Sequence, residues 1–257
     1  MKTTKDIHVN RLGFVREFLD SIIAFNKTNE FLPIYIHNGK LVTVCSLSIQ
    51  GNAGSIGLCV EHSLLENNID DGEVFYIQDP VKLKKLAMIA SSDRLHIRFT
   101  KNQLIAVGGD LKFTCNLYDP MLASKTMRFW KPEKFDKFKT NIQKGTIIDQ
   151  ETLGRIHKII SATDDDLATI TTYDGSKDFY TLSIGDTDSF SGGINIAFDG
   201  SKDCLNDGTV FNKNVFNVMR RGDITFSETT DGNIVVLKEQ TELTTKYCII
   251  TKIRKNV

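Results

Sequence analysis

Apolar residues at Val9, Leu12, Val15, Leu19, Ile22 and Ile23 recur at three- and four-residue steps, and Phe14, Phe18 and Phe25 widen the same stripe. That spacing predicts one amphipathic helix over 6–25. The period then shortens to two, so strands are expected at 32–37 and 41–49. They join through Asn38-Gly39-Lys40, where Asn and Gly tolerate the positive φ of a tight hairpin. Strands at 56–61 and 73–77, a short helix at 81–91, and a meander at 95–99, 104–107 and 112–117 complete the first half. Its order is helix, strands, helix, strands.

The second half has the same order. A helix is expected at 149–162, with Leu153, Ile156, Ile159 and Ile160 as its apolar stripe, then strands at 167–172, 178–184 and 193–198. A helix at 212–221 and strands at 223–227, 233–238 and 245–253 follow, with Thr230-Asp231-Gly232-Asn233 as a hairpin turn. Leu32 to Gly39 finds an echo in Leu167 to Gly175, and Asp79 and Asn212 each open a helix as plausible N-caps. The offsets from Asn38 to Asp174 and from Asp79 to Asn212 nearly agree, which argues for duplication without residue identity. Residues 119–146 hold Pro120, Pro132 and Phe129-Trp130-Lys131-Pro132 with no clear period, and read as an interdomain connector. The expectation is an α+β chain of two similar domains, 1–118 and 147–257, each with two helices packed on antiparallel sheets.

Composition is compatible with two cores: of 257 residues, 40% are hydrophobic and 25% charged. No apolar run is long enough for a membrane span, so a soluble, cytoplasmic chain without a membrane partner is expected. Cys45, Cys59, Cys115, Cys204 and Cys248 are odd in number and sit mostly in apolar sequence, as buried thiols do in a reducing compartment.

Charge adds something that its total conceals, because Lys and Arg number 32 and so do Asp and Glu. The helical segments 5–27, 81–92, 150–162 and 212–222 hold twelve cations: Lys5, Arg11, Arg16, Lys27, Lys82, Lys84, Lys85, Arg155, Lys158, Lys213, Arg220 and Arg221. Only Asp6, Glu17, Asp20 and Glu151 oppose them. For a single helix a solvated mixed face is the ordinary explanation. Four helices biased alike point to a surface that meets a phosphate backbone without reading bases.

Catalytic signatures are missing from the sequence. Gly51-Asn52-Ala53-Gly54-Ser55-Ile56-Gly57 lacks the Lys-Ser/Thr of a phosphate loop, and His8, His37, His62, His96 and His157 show no metalloprotease spacing. No cysteine pair has zinc spacing. The repeated Asp-Gly-Ser-Lys-Asp strings at 174–178 and 199–203, and Asp164-Asp165-Asp166, offer too few converging oxygens for calcium and read as turns and solvated charge. No enzyme activity, cofactor or metal is expected.

With the doubled order in view, the chain resembles the DNA sliding clamp family, especially the two-domain clamp subunits of T-even-like bacteriophages and, more distantly, proliferating cell nuclear antigen. Asp149 to Ile156, Tyr180 to Asp186, and Gly208 to Asn212 with the helix after it carry the resemblance. The first half and the connector depart most from the family pattern. The resemblance implies a homotrimeric ring of six similar domains around duplex DNA, with the twelve helical cations facing it. It further implies a DNA polymerase held for processivity, a clamp loader, and the host cytoplasm as location if the source is a phage. It also places a client pocket near the connector and the C-terminal strand, with Phe129, Trp130, Tyr247 and Ile249 as candidates. A monomeric DNA-binding processivity subunit and a β-rich structural protein of a virion remain open alternatives.

Overall fold

The computed structural model describes residues 5–25, 32–48, 55–126, 131–142, 145–163, 167–172, 179–184, 194–199, 209–220, 223–230 and 234–251. Two compact units divide the chain, one of residues 1–45, 59–133 and 242–245, the other of residues 46–58, 134–241 and 246–257.

In the first unit the chain begins with strand β1 (Lys5–Asn10), a correction to the helix expected from residue 6. Lys5 to Asn10 alternates polar and apolar, and Ile7 and Val9 are buried while His8 and Asn10 are not. Period two holds locally even though Val9 also fits the helical series. β1 lies between β5 (Glu66–Asn67) and β7 (Arg94–Phe99) in a five-stranded sheet ordered β5-β1-β7-β8-β9, in which β8 (Gln103–Gly108) joins β7 to the edge strand β9 (Leu111–Asn116). The polar side of β1 is occupied: Asp6 accepts from Asn68 Nδ2 at 2.8 Å and lies 3.2 Å from His96 Nε2. The Asn68 hydrogen bond is the main reason Asp6 titrates below the usual carboxylate range.

Helix begins at Arg11, where Asn10 Oδ1 accepts from Gly13 N at 2.9 Å. α1 (Arg11–Gly13), a π-helical turn (Phe14–Leu19) and α2 (Asp20–Phe25) then follow without a break. The Asp20 amide reaches back to the Val15 carbonyl across the wide turn. Phe14, Val15, Phe18, Leu19 and Ile22 are buried, as the stripe required. A further run of strands is ordered β4-β3-β2-β6, from β2 (Leu32–His37), β3 (Lys40–Ser48), β4 (Ser55–Ser63) and β6 (Val74–Ile77), of which residues 46–48 and 55–58 are counted in the other unit. The β2–β3 hairpin turns at Asn38 (φ 52) and Gly39 (φ 68), as expected from the dipeptide. α3 (Pro80–Ile89) packs on the first helical run, with Asp79 Oδ1 accepting from Lys82 N at 2.8 Å and Pro80 preset for the first turn.

Part of the expected connector is regular structure. α4 (Pro120–Thr126) packs against β6, and α5 (Pro132–Thr140) buries Phe135 edge-on to Phe138. The two prolines that suggested a break are the first residues of these helices, where the missing amide costs nothing.

The second unit contains β10 (Thr146–Ile148), α6 (Gln150–Ala162), β11 (Leu167–Thr172), β12 (Phe179–Ile184), β13 (Ile194–Asp199) and β14 (Thr209–Asn212). It continues with β15 (Ile224–Glu228), β16 (Ile234–Gln240) and β17 (Thr244–Thr251). One sheet is ordered β13-β12-β11-β14, the other carries β10-β15-β16-β17, and each pairing between these strands that the structure describes is antiparallel. The helix expected at 212–221 is corrected here: Asn212 ends β14 opposite Leu167, and only a 3-10 helix, Lys213–Val218, follows. Its buried Val215, Phe216 and Val218 explain the misleading apolar spacing. Cys45, Cys59, Cys115 and Cys248 are buried free thiols, and burial pushes Cys45 up to about 12. Cys204, the loop 51–54, the turn 231–233 and the acidic strings at 164–166, 174–178 and 200–203 lie outside the described residues.

His62 is a buried titratable group of the first core. Its ring centre lies 6.3 Å from that of Phe14 and 6.0 Å from that of Phe18, with Nδ1 2.9 Å from Thr244 Oγ1 and Nε2 without a hydrogen-bond partner among the described residues. Burial pushes its pKa down to about 4, so the folded state holds it neutral while the unfolded chain protonates near 6.5. The stabilisation from neutral His62 is complete above pH 6.5 and is lost as pH falls toward 4, an effect of roughly 3 kcal/mol. In urea titrations at pH 7 and pH 5, the wild type is expected to lose more stability than His62→Gln on acidification. Equal losses would show that His62 does not set the acid sensitivity.

Candidate nucleic-acid interface

The helical cations divide into those presented to solvent and those engaged in holding the fold. In the first unit, Arg16 on the helical run and Lys82 and Lys85 on α3 are exposed. Lys84, between them in sequence, is half-buried and paired with Asp20, so part of its charge is spent joining α3 to α2. Arg11 is a clamp between helices: Nε donates to the Ser92 carbonyl at 2.7 Å and a terminal nitrogen to the Met88 carbonyl at 3.2 Å, with Asp93 3.6 Å away. These carbonyls lie at the end of α3, where a cation is favoured by the helix dipole. Lys5 is on β1 and paired with Glu73. Lys27 lies outside the described residues.

In the second unit, α6 supplies the clearest surface. Asp149 Oδ1 accepts from Thr152 N at 2.7 Å and starts the helix, and that bonding lowers the Asp149 pKa. Leu153, Ile156 and Ile160 are buried, which leaves Arg155 and Lys158 on the exposed side three residues apart, where they are neighbours. Glu151 is exposed one turn before Arg155 and is the acidic residue of that face. Gly154 adds no side chain beside them, and a Cβ there would meet no atom within 4 Å.

Lys213 is buried, and Nζ donates to the Thr163 carbonyl at 2.5 Å and to Thr163 Oγ1 at 3.1 Å. It closes the C-terminal end of α6 and is not presented to a ligand. Arg220 is exposed, but its Nε is held by the Asn217 carbonyl at 3.0 Å and its backbone amide by Glu239 Oε2 at 2.6 Å. Glu239 also pairs with Lys246, the two side chains being 1% and 3% exposed. Arg221 lies outside the described residues. Sequence counting could not separate these roles, since a buried and an exposed lysine have the same letter. It also missed α5, whose Lys134 and Lys137 are exposed and whose Phe135 and Phe138 spacing was the available signal.

Of the client-pocket candidates, Phe129 and Trp130 lie outside the described residues. Tyr247 is half-buried, with Lys139 Nζ 4.9 Å from the centre of its ring, and Ile249 is buried at 2% exposure. Among the described residues no group of three or more His, Cys, Asp and Glu side chains is placed to hold a metal ion, and no helix is long and apolar enough to cross a membrane.

Two measurements test these assignments by denaturation. Lys213→Met is expected to lose roughly 1–3 kcal/mol, the value of buried hydrogen bonds from a charged group, whereas Lys158→Met stays within about 0.5 kcal/mol. Gly154→Ala is expected to gain about 0.5–1 kcal/mol, because the methyl has room and restricts the unfolded chain. A loss would mean that something packs on Gly154.

No protein-family model and no curated protein matches the sequence. Solved structures do match. A chain from the complex of the FEN-1 C-terminal region with A. fulgidus PCNA superimposes with a TM-score of 0.66 at 14% identity, covering 98% of this chain and 100% of that one. A chain of the PCNA2–PCNA3 complex from Sulfolobus tokodaii gives 0.66 at 10% identity, covering 96% and 98%. The DNA polymerase III β subunit of Thermotoga maritima gives 0.65 at 10% identity, with 98% of this chain covered and 65% of that one. Over nearly its whole length, the chain has the α+β fold shared by PCNA and the polymerase III β subunit.

Proposed function

We propose that this chain is the subunit of a DNA sliding clamp, a ring that encloses duplex DNA and tethers a replicative polymerase. The supporting observation is a match to PCNA-type chains along nearly the full length of both partners, joined to exposed cations on α3 and α6. On this reading residues 1–118 and 147–257 are the duplicated domains and 119–146 the connector. The chain acts as a holder and not as an enzyme.

The physics of such a ring suits the residues. DNA held by topology needs no tight contact, so Arg16, Lys82, Lys85, Arg155 and Lys158 act as mobile, sequence-independent partners of phosphates. Lys84 and Arg220 contribute in part, while Lys5, Arg11 and Lys213 support the helices. A tethered polymerase rebinds at high effective concentration, which raises processivity without chemistry. Among the described residues, β9 pairs only with β8 and β13 only with β12, leaving an open edge on each sheet. Open edges invite pairing with another chain, and head-to-tail closure of three subunits covers them. The polymerase, the loader and a phage origin belong to the same reading, with Tyr247 and the 129–130 segment near the client peptide.

Two experiments test this reading. Light scattering after size exclusion is expected to give about 87 kDa, three times the 28.9 kDa of one chain. A strict 28.9 kDa monomer at all concentrations would favour an open processivity subunit. The quadruple variant Lys82→Glu, Lys85→Glu, Arg155→Glu and Lys158→Glu is expected to retain the assembly mass and lose polymerase stimulation by tenfold or more. Undiminished stimulation would remove the helices from the DNA-facing surface.

A further inference from the structure

The first unit contains a cavity of about 640 Å³ that the clamp reading does not use. It lies beside β6, where residues 117–120 leave β9 and enter α4. Its floor is aromatic: Phe75 stacks on Phe99 with ring centres 3.9 Å apart, and Tyr76 is 8% exposed. The open wall is Val74, Leu117 and Tyr118, and directly after Pro120 the first turn of α4 exposes Met121 and Leu122, at 71% and 51%. A volume of this size lies within the range of ligand pockets and leaves room for a bulky side chain.

Backbone geometry adds a second feature. β6 pairs with β2 along one edge, where the Glu73 carbonyl accepts from Ile36 N at 3.0 Å. The Tyr76 carbonyl points the other way and accepts from Tyr118 N at 2.8 Å. Residues two apart on a strand share an edge, so Val74, which lines the cavity, turns its N–H and C=O to the same edge as Tyr76, away from β2. An extended peptide can pair with such an edge.

Charge selects among peptides. Lys5, Arg98 and Lys101 stand at the mouth against Glu73. Glu73 is paired with Lys5, and Arg98 has Asp6 at 3.7 Å. Lys101 is exposed and has no ion pair among the described residues. A nucleic-acid strand is less well matched, because Phe75 and Phe99 spend their faces on each other and are nearly buried, which leaves a base only the half-buried Tyr118 of this lining to stack on.

We infer that this cavity is a docking site for an extended acidic peptide of another protein, with one bulky apolar side chain inserted past Val74 and Tyr118 and a carboxylate facing Lys101. The site shares no residue with the client candidates Phe129, Trp130, Tyr247 and Ile249, and it needs neither DNA nor a closed ring.

The test uses the full chain without DNA and a fluorescent eight-residue probe of Asp and Glu around a single Phe, followed by anisotropy. Saturable binding is expected, reduced tenfold or more when the probe's Phe is replaced by Ser, when its acids are replaced by Lys, or in the variant Lys101→Glu. A probe carrying a photoreactive benzoyl group on the Phe is expected to crosslink within 74–76 or 117–120. No binding at millimolar probe, equal binding of the lysine probe, or an adduct elsewhere would overturn the proposal. Displacement by oligothymidylate would reassign the cavity to nucleic acid. Loss of binding as the protein self-associates would reassign it to a contact between copies of this chain.

Discussion

Burial of the apolar stripe of α6 decides which charges of the second unit can meet a ligand. Leu153, Ile156 and Ile160 go inward, and with 3.6 residues per turn Arg155 and Lys158 have nowhere to go but outward. The same constraint acts in the first unit, where Leu83 and Ala87 seat α3 and leave Lys82 and Lys85 exposed. Each buried aliphatic side chain contributes roughly 1.5–3 kcal/mol, several times the value of any exposed ion pair, so packing sets the rotation of the helix and the charges follow. A cationic surface built this way survives changes in salt even though its contacts to phosphate weaken.

Much of this was legible in the sequence. The 3.6-residue stripe of α6, the cap Asp79, and the Asn38-Gly39 turn are local features whose causes lie within a few residues, whereas Asn212, the other cap expected, ends strand β14. The failures are tertiary. Whether Lys5 to Asn10 joins a helix or a strand depends on β7, some ninety residues later, whose Leu95, His96 and Ile97 pair with Val9, His8 and Ile7. Lys213 looked like a surface cation because its acceptor, the Thr163 carbonyl, is fifty residues away and is a backbone atom that no letter records. The engagement of Arg11 was hidden for the same reason, its acceptors being the Met88 and Ser92 carbonyls. The cavity beside β6 was invisible because its walls come from several segments distant in sequence.

The division of cations into exposed and structural also changes the meaning of the net charge. Twelve helical cations against four acids suggested an intense field, but Lys84 is balanced by Asp20, and Arg11 and Lys213 point at carbonyls. Among the described residues, the exposed helical cations are correspondingly sparse, a few separated Lys and Arg side chains on each unit. Sparse charge is a defect in a protein that must grip DNA by affinity and an advantage in one that must slide. Each neutralised phosphate adds to the affinity, and a tight grip would oppose translocation. A chain of zero formal charge that nevertheless turns cations outward from its helices is therefore better suited to topological than to adhesive retention. Within the proposed function, this is a physical ground, separate from fold likeness, that supports a closed ring over an open processivity subunit.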